Sequence, residues 1–290
     1  MIDILLKIKN FFTQLFQSFS SLLKVILISR PSGKWPRAKH EELIILGNGP
    51  SLNHFLEKHR NFIKGKDLLA VNHFVNTAQY EELKPSFYLI NVPEFWKEDI
   101  DEDYRQKRQK IFEDFVKKTH WEVNLFLDSG AKKAQFWKEI IKDNPHIKVH
   151  YFNPTPIEGF QSFKFFCYKH RCGMPRPHNV LIPSLIWGIN TEYKKIYLTG
   201  ADHNWMQELF VAEDNTVYLT QKHFYDEKKA RPGVMKKAGK GQRKLHEILI
   251  KFVHAFAGYW EINKYAVYRG SEIVNITPGS MIDAFKREKL

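Results

Sequence analysis

The 290-residue chain has only two cysteines, Cys167 and Cys172, and neither stands in a C-x-x-C or Cys/His ligand spacing. That excludes a disulfide framework and a finger-type zinc site, and it suits a reducing cytoplasm. Acids are also scarce, 32 Asp and Glu against 45 Lys and Arg, leaving a formal charge of +13. Such a balance attracts anions: nucleic acid, an anionic lipid leaflet, or nucleotide and acidic-sugar substrates. No RNA- or DNA-binding motif accompanies the cations, so nucleic acid is not expected as a partner. Nowhere do uninterrupted apolar residues reach the roughly 18 to 20 that cross a bilayer, and no signal-peptide cleavage site is present. Repeats and low-complexity tracts are absent, and with 43% hydrophobic residues the chain is globular.

The first thirty residues carry a pattern of their own. Leu5, Ile8, Phe12, Leu15, Phe16, Phe19, Leu22, Leu23 and Ile26 recur on one face of a helix, with Lys7, Lys9, Gln14, Gln17 and Ser21 opposite. This predicts an amphipathic helix over 1–30 that lies on a membrane surface, with packing on the protein's own core or on a second subunit of a homo-oligomer as the alternatives. A basic linker, 31–41, comes next, in which Pro31 and Pro36 break the helix; Arg30, Lys34, Arg37 and Lys39 favour an anionic leaflet.

Beyond the linker, strand and helix patterns alternate, the sign of a mostly parallel α/β sheet. Strands are predicted at Leu43–Leu46, Leu68–Val71, Phe87–Ile90, Val123–Leu127, Lys148–Tyr151, Ile196–Thr199 and Ile273–Ile276. Helices are predicted around Leu52–Arg60, Tyr104–Lys118, Lys132–Lys142, Ile182–Thr191 and Gln242–Ala257. Residues 203–241 break the rhythm and lead into the cations Lys228, Lys229, Arg231, Lys236, Lys237, Lys240, Arg243 and Lys244, as expected of a lid or of a solvated loop.

Polar turns close the strands. GNGPSL, residues 47–52, lies directly after the first strand, where glycines let backbone N–H groups approach a phosphate at a helix N-terminus, Pro50 sets the first turn and Ser51 caps amides. Tight packing of the turn is the competing explanation. Asn72 in VNHF and Asn91 in INVPEFW end the next two strands; each offers a donor and an acceptor to a base or sugar, or serves its own turn. Gly200 and Asp202 end another in YLTGAD.

The ordered set GNGPSL, VNHF, INVPEFW, EYKKIYLTGAD and NITPGS, over roughly residues 42–285, resembles glycosyltransferase family 42, the bacterial sialyltransferases, and related transferases of surface glycans. The resemblance implies a Rossmann-like domain of GT-A type over 42–290, a lid, and inverting transfer from a CMP-activated sugar such as sialic acid without metal or other cofactor. It implies that Gly47, Asn48, Gly49, Pro50, Ser51, Asn72, Asn91, Gly200, Asp202, Thr277 and Ser280 serve the nucleotide. Tyr218 matches a lid tyrosine on the leaving phosphate, and His223 lies where the family's base is found, with His203 as rival and His178 and His246 as weaker candidates. Departures are Asn204 and Trp205, where a second phosphate-binding tyrosine is expected, and Ile182–Ser184 in place of a serine-glycine pair; both weaken the match to sialic acid. The expected acceptor is a glycan or glycolipid such as lipopolysaccharide, with the protein peripheral on the cytoplasmic face of the inner membrane.

Asp101 and Asp103 mimic a metal-binding D-x-D motif, yet they open a helix, where acids answer to the helix dipole. Phe160, Phe163, Phe165 and Phe166 read as core, or with the basic lid as the wall of an acceptor groove. Two other classes share these features: a phosphoryl or pyrophosphoryl transferase akin to pterin pyrophosphokinases, and a non-catalytic membrane-associated scaffold.

Overall fold

Strands covered on both faces have no solvent side and are written as unbroken apolar runs. The computed structural model, which describes residues 2–225, 230–237 and 241–290, places a strand at every such run. In chain order come α1 (Ile2–Ile28), β1 (Glu42–Leu46), α2 (Ser51–Lys58), β2 (Asp67–Val71), α3 (Gln79–Leu83), β3 (Phe87–Ile90) and α4 (Glu102–Lys118). Next are β4 (Val123–Asp128), α5 (Phe136–Ile141), β5 (Ile147–Phe152), α6 (Gln161–Lys169), α7 (Leu181–Asn190) and β6 (Lys195–Thr199). The lid strands β7 (Leu209–Val211), β8 (Val217–Leu219) and β9 (Gly233–Val234) precede α8 (Leu245–Arg269), β10 (Glu272–Asn275) and β11 (Lys286–Arg287). Lys228, Lys229 and Lys240 of the cationic run lie outside the described residues.

Among the described residues, eight strands form one parallel sheet in the order β11-β10-β6-β1-β2-β3-β4-β5. Alternation divides the core between its faces: Leu43, Ile45, Leu69 and Leu89 point toward α6, α7 and α8, whereas Ile44, Leu46, Ala70 and Ile90 point toward α2 and α4. The chain runs outward from β1 to β5 and then returns to the other side of β1 as β6. The order of strands therefore reverses between β1 and β6, and in open α/β sheets the crevice for ligands opens beyond such a point.

At that point two turns are locked together. The Gly47 N–H donates to the Thr199 carbonyl and the Gly49 N–H to the Gly200 carbonyl, both at 2.8 Å. A Cβ on Gly47 would collide with the Gly200 carbonyl oxygen, and one on Gly200, whose φ is +64°, with that of Gly47. Asp202 completes the clasp by accepting from the Ser51 N–H at 3.2 Å and the Ser51 hydroxyl at 2.8 Å. Thus a carboxylate from the β6 turn, not a phosphate, meets the positive end of α2. The expectation that Ser51 caps helix amides is corrected accordingly: its side chain bonds Asp202, and a residue 151 positions away in sequence does the capping.

Helix α1 docks by its polar side. Ser18 and Ser21 Oγ accept from the Phe160 and Glu158 N–H groups at 2.9 Å, and Gly159 lies so close to Ser18 that no side chain fits there. The apolar face turns outward, with Phe12 61%, Phe16 73% and Ile26 65% exposed. Although no run is uninterrupted, the interrupting residues of the central turns are uncharged, and the helix from Asp3 to Ile28 is by length and composition apolar enough to cross a membrane.

Helix α6 has no counterpart among the sequence-based expectations. Phe165 is buried there, Phe166 is 60% exposed and Phe160 meets Phe11 of α1 at 5.5 Å; none of the four phenylalanines of this region lines the cavity that opens over the carboxyl edge of the sheet. Helix α8 runs past the expected Ala257 because Gly258 is a packing residue, its Cα pressed toward Ile182, and not a stop signal. Gly200→Ala should lower stability by about 2–4 kcal/mol through a disfavoured φ and the backbone collision. Gly33→Ala, at φ +73° in open space, should lose only about 1 kcal/mol, so equal urea midpoints for the two variants would contradict the clasp.

Candidate active site

A cavity of about 390 Å³ lies over the carboxyl edge at the switch point. The ends of β1, β2 and β3 bring Asn48, Asn72 and Asn91 to it, the β6 turn brings Gly200, Asp202 and His203, and the lid brings Thr220 and His223. Gly47, Gly49 and Pro50 also line it, but the Gly47, Gly49 and Ser51 amides are already donated within the protein. Side chains, not those amides, therefore supply the unused polar groups of the wall.

Three asparagines carry such groups, each oriented by its other amide atom. Asn48 Nδ2 donates to the Val71 carbonyl at 3.1 Å, leaving Oδ1 buried without a protein partner. Asn91, 8% exposed, donates to the Pro177 and Asn179 carbonyls at 3.3 Å and likewise leaves Oδ1 unpartnered. Asn179 is reversed: its Oδ1 accepts from the Leu181 and Ile182 N–H groups, capping α7, and from the Tyr259 hydroxyl at 3.0 Å. Its buried Nδ2 is the atom left over. Asn72, at φ +48°, accepts from the Asn91 N–H at 3.1 Å and sets the spacing between the β2 and β3 turns. Unmet buried amide atoms are rare because each loses its hydration, and here three of them belong to side chains that line one cavity.

The lid reaches this wall through Phe224. Its N–H donates to the Asn48 carbonyl at 2.9 Å, its carbonyl accepts from Asn53 Nδ2 at 2.8 Å, and its ring is buried beside Phe74. That anchor holds His223 over the cavity, with its ring stacked on Tyr225 at 5.1 Å. The lid itself is an antiparallel sheet, β7-β8-β9, seated on α8 through Val217, Leu219, Ile248 and Phe252. Strands of two or three residues are too short to show a period, which is why the segment reads as irregular.

Three expected contacts stand elsewhere. Tyr218 alternates with the inward Val217 and Leu219, so the pleat turns it to the outer face of the lid sheet, stacked on Phe210 at 5.4 Å. Thr277 Oγ1 accepts from the Ala201 N–H at 3.1 Å and donates to the Leu198 carbonyl. Ser280 Oγ donates to the Ala201 carbonyl and accepts from Asn275 Nδ2 and the Ile282 N–H. Both residues brace the β6 turn from behind, and neither faces the large cavity.

His203 does face it, but as a structural group. Its Nε2 lies 2.5 Å from the Tyr259 hydroxyl, which in turn donates to Asn179, and its ring packs on Trp205 at 4.0 Å. Burial lowers its pKa to about 3, so it stays neutral and is a poor proton acceptor at neutral pH. Asp101 pairs with Lys236 and Asp103 with Lys107. Among the described residues no group of three or more His, Cys, Asp or Glu side chains is placed to hold a metal ion. His178 lies at the rim against His254, whereas His246 is outside the cavity.

Asn179 and Lys251 are absent from the residues singled out by sequence. In α8 the inward positions Ile248, Phe252, Ala255, Tyr259 and Ile262 are apolar and buried, and Lys251, which also faces inward, is the charge among them. That single break in an apolar stripe is a readable signal.

No family model matches the chain, and no curated protein is significantly similar to it. Among solved structures it is similar to the MAf glycosyltransferase from Magnetospirillum magneticum AMB-1, with a TM-score of 0.51 and 11% identity over 90% of this chain and 35% of that one. The chain thus spans about a third of the length of that protein, and the likeness is one of fold.

Proposed function

We propose that the chain is a glycosyltransferase that moves a sugar from a nucleotide-activated donor to a glycan or glycolipid at a membrane surface. The observation that carries this reading is that Asn48, Asn91 and Asn179, whose side chains each hold a buried and unpartnered amide atom, line one cavity at the switch point. A base edge, a ribose and a sugar offer the hydroxyls and amines that such a wall satisfies. The fold shared with a solved glycosyltransferase agrees with it, and the motif order favours a CMP-linked donor, a sialic acid or a related sugar.

Transfer with inversion needs a group to take the proton of the acceptor hydroxyl as the sugar's anomeric carbon is attacked. His223 fills that role in this reading: it lines the cavity from the lid segment, which is hooked to the Asn48 turn through Phe224. The departing phosphate is met by side chains, and in this reading no metal takes part. Both acids of the D-x-D are spent on lysines, which supports that choice.

The outward apolar face of α1 supports a membrane-surface location. Its docking through Ser18 and Ser21 keeps residues 18–24 beside the polar body of the protein, which favours lying on the bilayer over spanning it.

Calorimetric titration in EDTA should show CMP binding; binding of ATP that requires Mg2+ would instead indicate phosphoryl transfer, and no nucleotide binding at all would leave a scaffold. His223→Ala should cut turnover at least about 100-fold while changing CMP affinity less than about twofold, and full turnover would remove His223 as base. Flotation with phosphatidylglycerol vesicles should carry the protein upward and should fail for the Phe16→Glu, Leu23→Glu double variant; unchanged flotation of that variant would contradict the surface helix.

A further inference from the structure

With the Gly47, Gly49 and Ser51 amides committed to the clasp, the cations on another side of the cavity are the ones left to meet the negative charge of a ligand. Lys251 lines that side, half-buried on the inward face of α8. Arg243 stands two residues before α8, where its N–H donates to the carbonyl of Met235, itself part of the cavity wall, at 2.8 Å. Arg243 Nε is buried and lacks a hydrogen-bond partner. Neither cation forms an ion pair among the described residues. Asp202, the carboxylate on the opposite wall, is held by Ser51.

The two charges are also close enough to oppose one another. Burial, and after it the Arg243 guanidinium, holds the Lys251 ammonium below its ordinary range. Partly burying a lysine beside an arginine, with the Glu94 carboxylate a weaker influence than burial or Arg243 and no ion pair among the described residues, destabilises the folded protein, and an alanine or leucine would complete the apolar stripe of α8 at no such penalty. A pair maintained against that penalty, Lys251 on the wall of the cavity that the three asparagines also line and Arg243 bonded to that wall through Met235, is arranged for an anion supplied from outside.

We propose that Lys251 and Arg243 form the anion seat of the cavity and take the phosphate or diphosphate group of its ligand. The seat lies across the cavity from the GNGPSL turn, so a bound nucleotide extends from the asparagine wall toward α8 and not into the N-terminus of α2. Its two cations match the dianionic monophosphate of released CMP better than the singly charged diester of a CMP-linked sugar, so the seat gains strength as the phosphate departs. The identity of the ligand as a nucleotide rests on the transferase reading, whereas the location of the seat does not.

The test uses the full chain, its Lys251→Met and Arg243→Gln variants, and three probes: inorganic pyrophosphate, CMP and cytidine. Both variants relieve the repulsion between the two cations, and melting temperatures at or above that of the unchanged protein show that they fold. Pyrophosphate should bind the unchanged protein and fail to bind either variant. CMP should bind each variant about 30-fold more weakly, with cytidine unaffected. Pyrophosphate binding lost in the variants, in a protein that binds neither CMP nor cytidine, would uphold the seat while ending the nucleotide reading. Failure of the unchanged protein to bind pyrophosphate, variants that bind it equally well, or equal losses for CMP and cytidine would overturn the seat.

Discussion

Two backbones that meet without side chains, at Gly47 and Gly200, fix the geometry of the whole carboxyl edge. Because the Gly47 and Gly49 N–H groups donate to the Thr199 and Gly200 carbonyls across β1 and β6, the crevice that an open α/β sheet leaves at its switch point is closed at the bottom. Asp202 then occupies the end of α2, where many nucleotide-binding folds place a phosphate. GNGPSL has the backbone shape of a phosphate-binding turn. The same glycines serve here to bring two turns into contact.

Around this clasp the cavity wall is assembled from separate elements. The β2 and β3 turns are spaced by the bond from the Asn91 N–H to Asn72, the lid is hooked to the Asn48 carbonyl through Phe224, and α7 is capped by Asn179. Asn48, Asn91 and Asn179 each spend one side-chain amide atom on such bonds and keep the other buried without a partner. Thr277 and Ser280 stand behind the β6 turn and keep Ala201 and Asp202 in register. This division of labour explains why polar residues in one ordered motif set end up in two different roles.

The sheet is legible in the sequence because buried parallel strands are apolar runs bounded by polar turns, and their predicted limits agree with the observed ones to within a residue or two. Asn48, Asn72 and Asn91 are legible for the same reason, as the residues that end those runs. Contacts across long stretches of chain are not: nothing near Ser51 announces that Asp202 caps α2, and nothing near Leu181 announces that Asn179 is shared with Tyr259. Helix α6 is hidden by its aromatic content, and the lid strands by their brevity. Lys251 is visible as a charge in an apolar stripe, but the run of cations just before it points to the surface.

Where the negative charge of a ligand is received decides which role the GNGPSL turn plays. A crystal structure with CMP bound addresses this most directly. Density for the phosphate is predicted beside Lys251 and Arg243, with Asp202 still bonded to Ser51. Phosphate on the amides of Gly49 and Ser51, with Asp202 displaced, would contradict that assignment.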